Sequence, residues 1–286
     1  MKQRFRNGTT IQEDNRQDRL LKVLYGSTLG RILLKPLVTP VVSKLAGAFL
    51  STRCSCVLIQ PFIRSNNIDM TQFEEVKYHS YNEFFSRKIR KDARPIDMEP
   101  THFISPADSK LTVLPISSDL HFTLKHTEYS VASLLKNKEL ARDYHGGYAF
   151  IFRLTVDDYH RYCYVDDGIK EKNIPIPGKF HTVNPIANDY FPIYKENTRE
   201  YSILHSQHFG DIVMMEVGAL LVGKIVNLHE NVQVKRGQEK GYFQFGGSTV
   251  VLLTKANMVT VDDDILENSK EGIETIVKFG EKIARK

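Results

Sequence analysis

The sequence predicts an α+β fold: a helical N-terminal portion followed by a β-rich body. Three observations carry that reading. Apolar residues recur at three- and four-residue steps through Leu29, Ile32, Leu33, Leu37, Val41, Val42 and Leu45, which is the period of a helix face. Ser80-Tyr81-Asn82-Glu83 reads as a capping box, in which Ser80 takes the third amide and Glu83 reaches back. Beyond residue 100 the texture changes to short runs of β-formers bounded by Gly, Asp or Asn, at 148–154, 212–217 and 249–254.

In chain order, Pro36 and Pro40 divide the first apolar segment into two or three short helices. The helix after Ser80 presents Phe84, Phe85 and Arg87 and ends before Ala93-Arg94-Pro95. One further helix is expected near 131–141, and a short strand near 275–277. The chain thus divides into a helical region, 1–100, and a β-rich domain, 101–286.

With 286 residues, 41% hydrophobic and 26% charged, the chain excludes wholesale disorder and collagen-like repeats. Its three cysteines, Cys54, Cys56 and Cys163, cannot staple a body of this size and fit a reducing compartment. Cys54-x-Cys56 has neither zinc spacing nor a second ligand pair, so no metal is expected. No secretory signal is expected at the charged start. No transmembrane helix is expected either, because Lys35, Lys44 and Arg53 interrupt the apolar region before about 20 uncharged residues accumulate. Charge is uneven: residues 1–60 hold ten Lys/Arg against three Asp/Glu. Such a region attracts the phosphates of a membrane surface or a nucleic acid, or is a solvated tail. Its amphipathic helices are either core helices or helices lying in a bilayer interface.

Three places concentrate chemistry. Ile104-Ser-Pro-Ala-Asp108-Ser109 is a turn ending in a carboxylate, and Asp157-Asp158-Tyr159-His160-Arg161 crowds two carboxylates, an imidazole and a guanidinium. Phe245-Gly246-Gly247-Ser248-Thr249 runs two glycines and a serine into an apolar strand. Singly, each has a plain structural reading: a turn-closing Asp, a surface His, a hairpin Gly pair. Together, Asp, His and Ser are the parts of a nucleophile–base–orienter set. Ser248 lacks the Gly-x-Ser-x-Gly frame of a hydrolase elbow. The carbonyl beside it is that of Gly247, where glycine permits the close approach an attack by Ser248 on its own backbone requires.

With Tyr81–Arg87, Ser105–Asp108, Asp158–Arg161, His181–Pro185, Glu216–Ala219, Gly237–Gly241 and Phe245–Thr249 in this order, the chain resembles the phosphatidylserine decarboxylases. This is the pyruvoyl-dependent family, and the resemblance to its clostridial-type members is strongest. It implies a proenzyme that cuts itself at Gly247-Ser248 into a β chain, 1–247, and an α chain, 248–286. A covalent pyruvoyl group, derived from Ser248, then serves as electron sink when phosphatidylserine loses CO2 to give phosphatidylethanolamine. Asp108, His160 and Ser248 carry over as catalytic residues, with Asp158 and Gly246 supporting. The resemblance further implies a peripheral enzyme on the cytoplasmic side of the cell membrane, acting on an anionic surface. It implies no nucleic-acid partner and is compatible with a homo-oligomer.

Two positions depart from the family. The histidine usually assigned to the self-cleaving set falls on Cys163, and a glycine after the Asp falls on Ser109. A thiol is a poorer proton acceptor than imidazole near neutral pH, which makes His160, oriented by Asp108, the expected base for Ser248. Ser109 is expected to strain a left-handed position. Two alternatives stay open at this level: an uncleaved, non-catalytic anionic-lipid-binding homologue, and a pyruvoyl decarboxylase of another amino-acid-bearing substrate.

Overall fold

The computed structural model describes residues 2–12, 23–124, 127–183, 190–219, 224–244 and 248–286. Helices occupy Thr28–Leu37, Pro40–Leu50, Ile59–Ser65 and Tyr81–Phe85, so the helical reading holds through this stretch. Pro40 stands at the start of its helix, where its missing N–H costs nothing. Ser80 Oγ accepts from Glu83 N at 3.1 Å, but the Glu83 carboxylate takes the N–H of His79 at 2.6 Å instead of that of Ser80. The cap therefore closes one residue further back than expected.

The first residues depart from the helical reading. Lys2–Phe5 and Thr10–Gln12 are strands, and Lys2–Phe5 runs parallel to Glu274–Val277. Arg6 lies between Asp262, at 2.7 Å, and Asp264, at 2.9 Å. Arg4 pairs with Glu271 at 3.1 Å. Part of the basic surplus is thus spent on the C-terminal segment of the same chain.

Among the described residues the main sheet has eleven strands. At its centre Ser248–Thr254 lies between Gly210–Val217 and Tyr148–Leu154, antiparallel to both. Alternation sends Phe150, Phe152, Val250 and Leu252 into one apolar cluster and Ala149, Ile151, Val251 and Leu253 into another. Both faces of the central strands are therefore covered, which explains why 249–254 reads as a continuous apolar run. The helix expected at 131–141 is two, Val131–Leu135 and Lys138–Arg142, broken where Lys136 takes a left-handed φ of 52°.

Candidate active site

Ser248 is the first residue of the central strand and is fully buried. Its neighbours in register are Leu154 on one side and, one residue on, Val217 opposite Thr249 on the other. Strand alternation puts its side chain on the face of Val250 and Leu252.

The turn after Tyr148–Leu154 brings His160 to that face, with Ser248 Oγ 3.4 Å from His160 Nδ1. The other ring nitrogen, Nε2, lies 3.0 Å from the carbonyl oxygen of Thr155. A carbonyl only accepts, so Nε2 carries the proton and Nδ1 turns its lone pair to the serine hydroxyl. The Ser248 contact is long for a hydrogen bond, as such contacts often are before the reacting group is drawn in. The Phe85 ring covers the imidazole, with centroids 4.1 Å apart.

Burial, and after it the charge of Arg87, lowers the His160 pKa to about 3. The ring is therefore uncharged at neutral pH, the state a proton acceptor needs. The same shift bears on stability. An unfolded histidine takes a proton near pH 6.5, whereas the folded ring resists until far lower. The unfolded state thus binds the extra proton in between, and stability falls as pH drops from about 6.5, by roughly 1.4 kcal/mol per pH unit for this group. In denaturant titrations from pH 7 to pH 5, a His160→Phe chain is expected to lose stability less steeply than wild type by that one proton.

The Thr155 carbonyl is fixed by a chain of polar contacts. Asp158 Oδ2 accepts from Thr155 N at 2.7 Å and Thr155 Oγ1 at 2.9 Å, while Asp158 N donates back to the Thr155 carbonyl at 2.9 Å. Lys110 Nζ, from the strand Ser109–Pro115, reaches both Asp158 oxygens at 2.9 and 2.7 Å. Burial opposes the charge of Lys110, but the Asp158 and Asp157 carboxylates outweigh it and raise its pKa. Asp158→Ala would leave that buried ammonium with only the more distant Asp157 carboxylate, at 3.9 Å, at a cost of up to about 3–5 kcal/mol. Lys110→Met with Asp158→Leu should recover most of the stability yet still loosen the Thr155 turn and slow any proton transfer through His160. Melting curves together with cleavage rates would separate the two effects.

Asp108 is not placed on His160. Its carboxylate is held by Arg94, with Nη2 at 2.6 Å and Nε at 2.9 Å, and by the N–H of Phe279 at 2.8 Å. Burial pushes Asp108 upward, but the Arg94 hydrogen bonds, the charges of Lys278 and Arg94 and the Phe279 amide together hold it below the usual carboxylate range. The expectation that Asp108 orients the imidazole is corrected: the backbone carbonyl of Thr155 does so.

Cys163 lies in the strand Arg161–Cys163, fully buried in the main apolar core, and its N–H donates to the Pro106 carbonyl at 2.9 Å. Position 163 therefore packs against the turn that carries Asp108. Burial pushes the thiol far above its ordinary value, so it stays protonated. Ser109 begins a strand and is not among the residues with positive φ, so the expected left-handed strain does not arise. Gly246 and Gly247 lie outside the described residues, as does the end of the His181–Pro185 motif.

Three contributors were missed in the sequence. Thr155 acts through its main chain, which leaves no side-chain signal. Lys110 stands out only as a cation inside a β pattern. Arg87 was placed on its helix without a role. Its guanidinium lies over the Phe73 ring at 4.2 Å, and its Nε and Nη2 are buried without a hydrogen-bond partner among the described residues. Burial lowers its pKa to about 10. Two further motifs meet on the strands beside Ser248: Lys240 Nζ and Glu216 Oε1 form a fully buried pair at 2.8 Å, with Glu216 opposite Val250 in register and the Asn227 side-chain oxygen 2.7 Å from the same ammonium.

Comparison with known proteins gives the family. A family model described as phosphatidylserine decarboxylase matches residues 81–285. Phosphatidylserine decarboxylase proenzyme 2 of Clostridium acetobutylicum is 50% identical over 264 residues, covering 92% of this chain and 90% of the relative. The phosphatidylserine decarboxylase proenzyme of Clostridium novyi is 42% identical over 276 residues, covering 94% and 93%. The corresponding proenzyme of Clostridium botulinum is 41% identical over 275 residues, with the same coverage. A buried serine at the head of a central strand, an uncharged histidine turned to it, and matches of this extent lead to one statement: the chain belongs to the phosphatidylserine decarboxylase family.

Proposed function

We propose that this chain is a proenzyme that cuts itself between Gly247 and Ser248 and then converts phosphatidylserine to phosphatidylethanolamine and CO2. The observation that carries the reading is the buried Ser248 hydroxyl facing the unprotonated Nδ1 of His160. In the cut, Ser248 Oγ attacks the Gly247 carbonyl carbon as its proton passes to Nδ1, and the acyl group moves from nitrogen to oxygen. Elimination then leaves Gly247 with a free carboxylate, and one water hydrolyses the new end of residue 248 with release of ammonia.

Strand pairing supports a cut that does not release either product. Ser248–Thr254 is bonded on both sides by strands of the 1–247 product, and Glu274–Val277 pairs with Ser109–Pro115. Residues 1–247 and 248–286 would remain one body.

The position also fits a pyruvoyl group, since it is buried and flanked by His160, whose ring Phe85 covers. Such a group supplies a sink for the electrons freed as a carboxylate leaves. His160 Nδ1 faces the same place after the cut and is the site from which a proton can reach the carbon that lost CO2. Asp108 enters as a positioning residue: it ties Arg94 and Phe279 to the turn whose Pro106 carbonyl holds strand residue 163. Release of labelled CO2 from phosphatidylserine labelled at the serine carboxyl, matched by phosphatidylethanolamine, tests the reaction. An absence of both from cleaved protein would overturn it.

The same proposal places the enzyme peripherally on the cytoplasmic face of the cell membrane, on an anionic surface. No helix among the described residues is long and apolar enough to cross a membrane, although one pair, Val41–Leu50 and Arg53–Ser65, bent by 83°, is apolar enough in combination. Leu29, Ile32 and Leu33 are more than half exposed on one helix, and Val41, Leu45 and Phe49 on the next. These residues recur at helical spacing, so the period read from the sequence marks an outward face. Burying one such side chain in lipid is worth about 1.5–3 kcal/mol. Leu45→Asp with Phe49→Asp should therefore abolish sedimentation with anionic vesicles while leaving self-cleavage intact; unchanged sedimentation would contradict a docking face here.

A further inference from the structure

Two motifs, Glu216–Ala219 and Gly237–Gly241, take no part in the steps above, yet they meet on the face that carries Ser248. Along Gly210–Val217, Ile212 and Met214 enter one apolar cluster, and Val213, Met215 and Val217 the other. Alternation therefore puts Glu216 on the same face as Ser248 and Val250. Packed on that face is a three-stranded sheet of Ile225–Asn227, Glu239–Phe243 and Arg161–Cys163. Its Tyr162 and Phe243 join the cluster of Val250 and Leu252. This small sheet also holds the histidine: Phe243 N donates to the His160 carbonyl at 3.0 Å, and Arg161, the next residue, pairs with Tyr242. Ser248 thus belongs to one sheet and His160 is tied to the other. The 3.4 Å between them is set by how the sheets are held together.

Across the interface runs a polar tie. Lys240 Nζ donates to Glu216 Oε1 at 2.8 Å and to Asn227 Oδ1 at 2.7 Å, and Asn227 Nδ2 donates to Glu216 Oε2 at 3.0 Å. The strand pairing shifts register between Glu239 and Gly241, so the bulge falls on Lys240, and a bulge re-aims the side chain it carries. Gly241 follows, where a Cβ would come within 2.1 Å of the Val226 carbonyl oxygen; glycine lets the strand of Asn227 approach this closely. Both members of the ion pair are wholly buried. Burying two charges carries a desolvation penalty that their attraction roughly offsets, so an apolar pair of similar volume would hold the sheets at least as stably. What the charges add is direction. Hydrogen bonds to ions keep their length and angle, whereas apolar contacts slide.

We propose that Lys240, Glu216 and Asn227 are positioning residues for the reaction. They lock the small sheet on the main sheet at the spacing that places His160 Nδ1 on residue 248, before the cut and after it. They act through that spacing and not by contact with the reacting atoms. The inference rests on the self-cleaving reading above and adds the residues that set its geometry.

The test compares the full wild-type chain with a Lys240→Met, Glu216→Leu double variant, in which apolar groups of similar size replace the buried charges. The double variant should melt at or above the wild-type temperature. Newly made chain should nevertheless cut itself about 10–100-fold more slowly, the effect of a misplacement of about an ångström. In its cleaved fraction, kcat for CO2 release should fall by a similar factor with KM unchanged, a split that lowered stability alone does not produce. A wild-type chain that does not cut itself would fail the self-cleaving reading alone, and the tie is then read in uncut protein. There the ¹⁵N resonance of His160 Nδ1, which faces the Ser248 hydroxyl, should move in the double variant toward that of a ring nitrogen with no donor beside it. Asn227→Ala, at a partly exposed position, decides the matter if the double variant does not fold. It should slow the cut about fivefold, one hydrogen bond's worth, or shift the same resonance in uncut chain. A folded double variant with wild-type cleavage and turnover, or with an unmoved Nδ1 resonance in uncut chain, overturns the inference. So does Asn227→Ala with neither effect.

Discussion

A His160→Ala chain is expected to remain whole and to release no CO2. The Ser248 hydroxyl is buried, and among the described residues the proton acceptor facing it is His160 Nδ1. Removing a general base of this kind slows a reaction by about 10²–10⁴, enough to leave newly made chain uncut over hours. Cys163→Ala separates this account from one in which the family's second position is the base. The Cys163 thiol is buried, and burial keeps it protonated, so its removal should cost about 1 kcal/mol of packing and leave the cleavage rate nearly unchanged. Time-resolved gels of fresh protein check both. Prompt cleavage in His160→Ala with a block in Cys163→Ala would make the thiol the base.

Ser248→Ala is expected to fold, stay as one chain and have no decarboxylase activity. The change removes one oxygen from a buried strand position whose hydroxyl contacts His160, so the strand pairing that holds Ser248–Thr254 persists. Without Oγ there is neither an attack on Gly247 nor a precursor for the pyruvoyl group. A Ser248→Ala protein with a wild-type melting temperature and a chain break at 247 would remove the serine from the mechanism.

The central strands, and the two residues Ser248 and His160 that the structure brings into contact, were legible because their signals are local. Runs of β-formers at 148–154 and 249–254 match the strands Tyr148–Leu154 and Ser248–Thr254, and Ser248 and His160 were named from residue type and motif. What failed was pairing at a distance. Lys2–Phe5 is basic and polar, and it becomes a strand only because Glu274–Val277 offers an edge and the acidic C-terminal segment neutralises Arg4 and Arg6. The orienter of His160 was misread for a similar reason. A carboxylate was the natural candidate, but Arg94 had already claimed Asp108, and the main-chain oxygen that took the role carries no mark in a sequence. The apolar period at 29–45 was ambiguous because core and surface faces share one spacing; exposure of Leu29, Ile32 and Leu45 marks an outward face.

The most direct test of the account is an intact-mass spectrum of the purified wild-type protein. Two masses are expected, those of residues 1–247 and of residues 248–286, the second carrying a ketone in place of its N-terminal amine and therefore closed to Edman sequencing. A single mass for the full 286-residue chain, or a 248–286 fragment that begins with an ordinary serine, would contradict it.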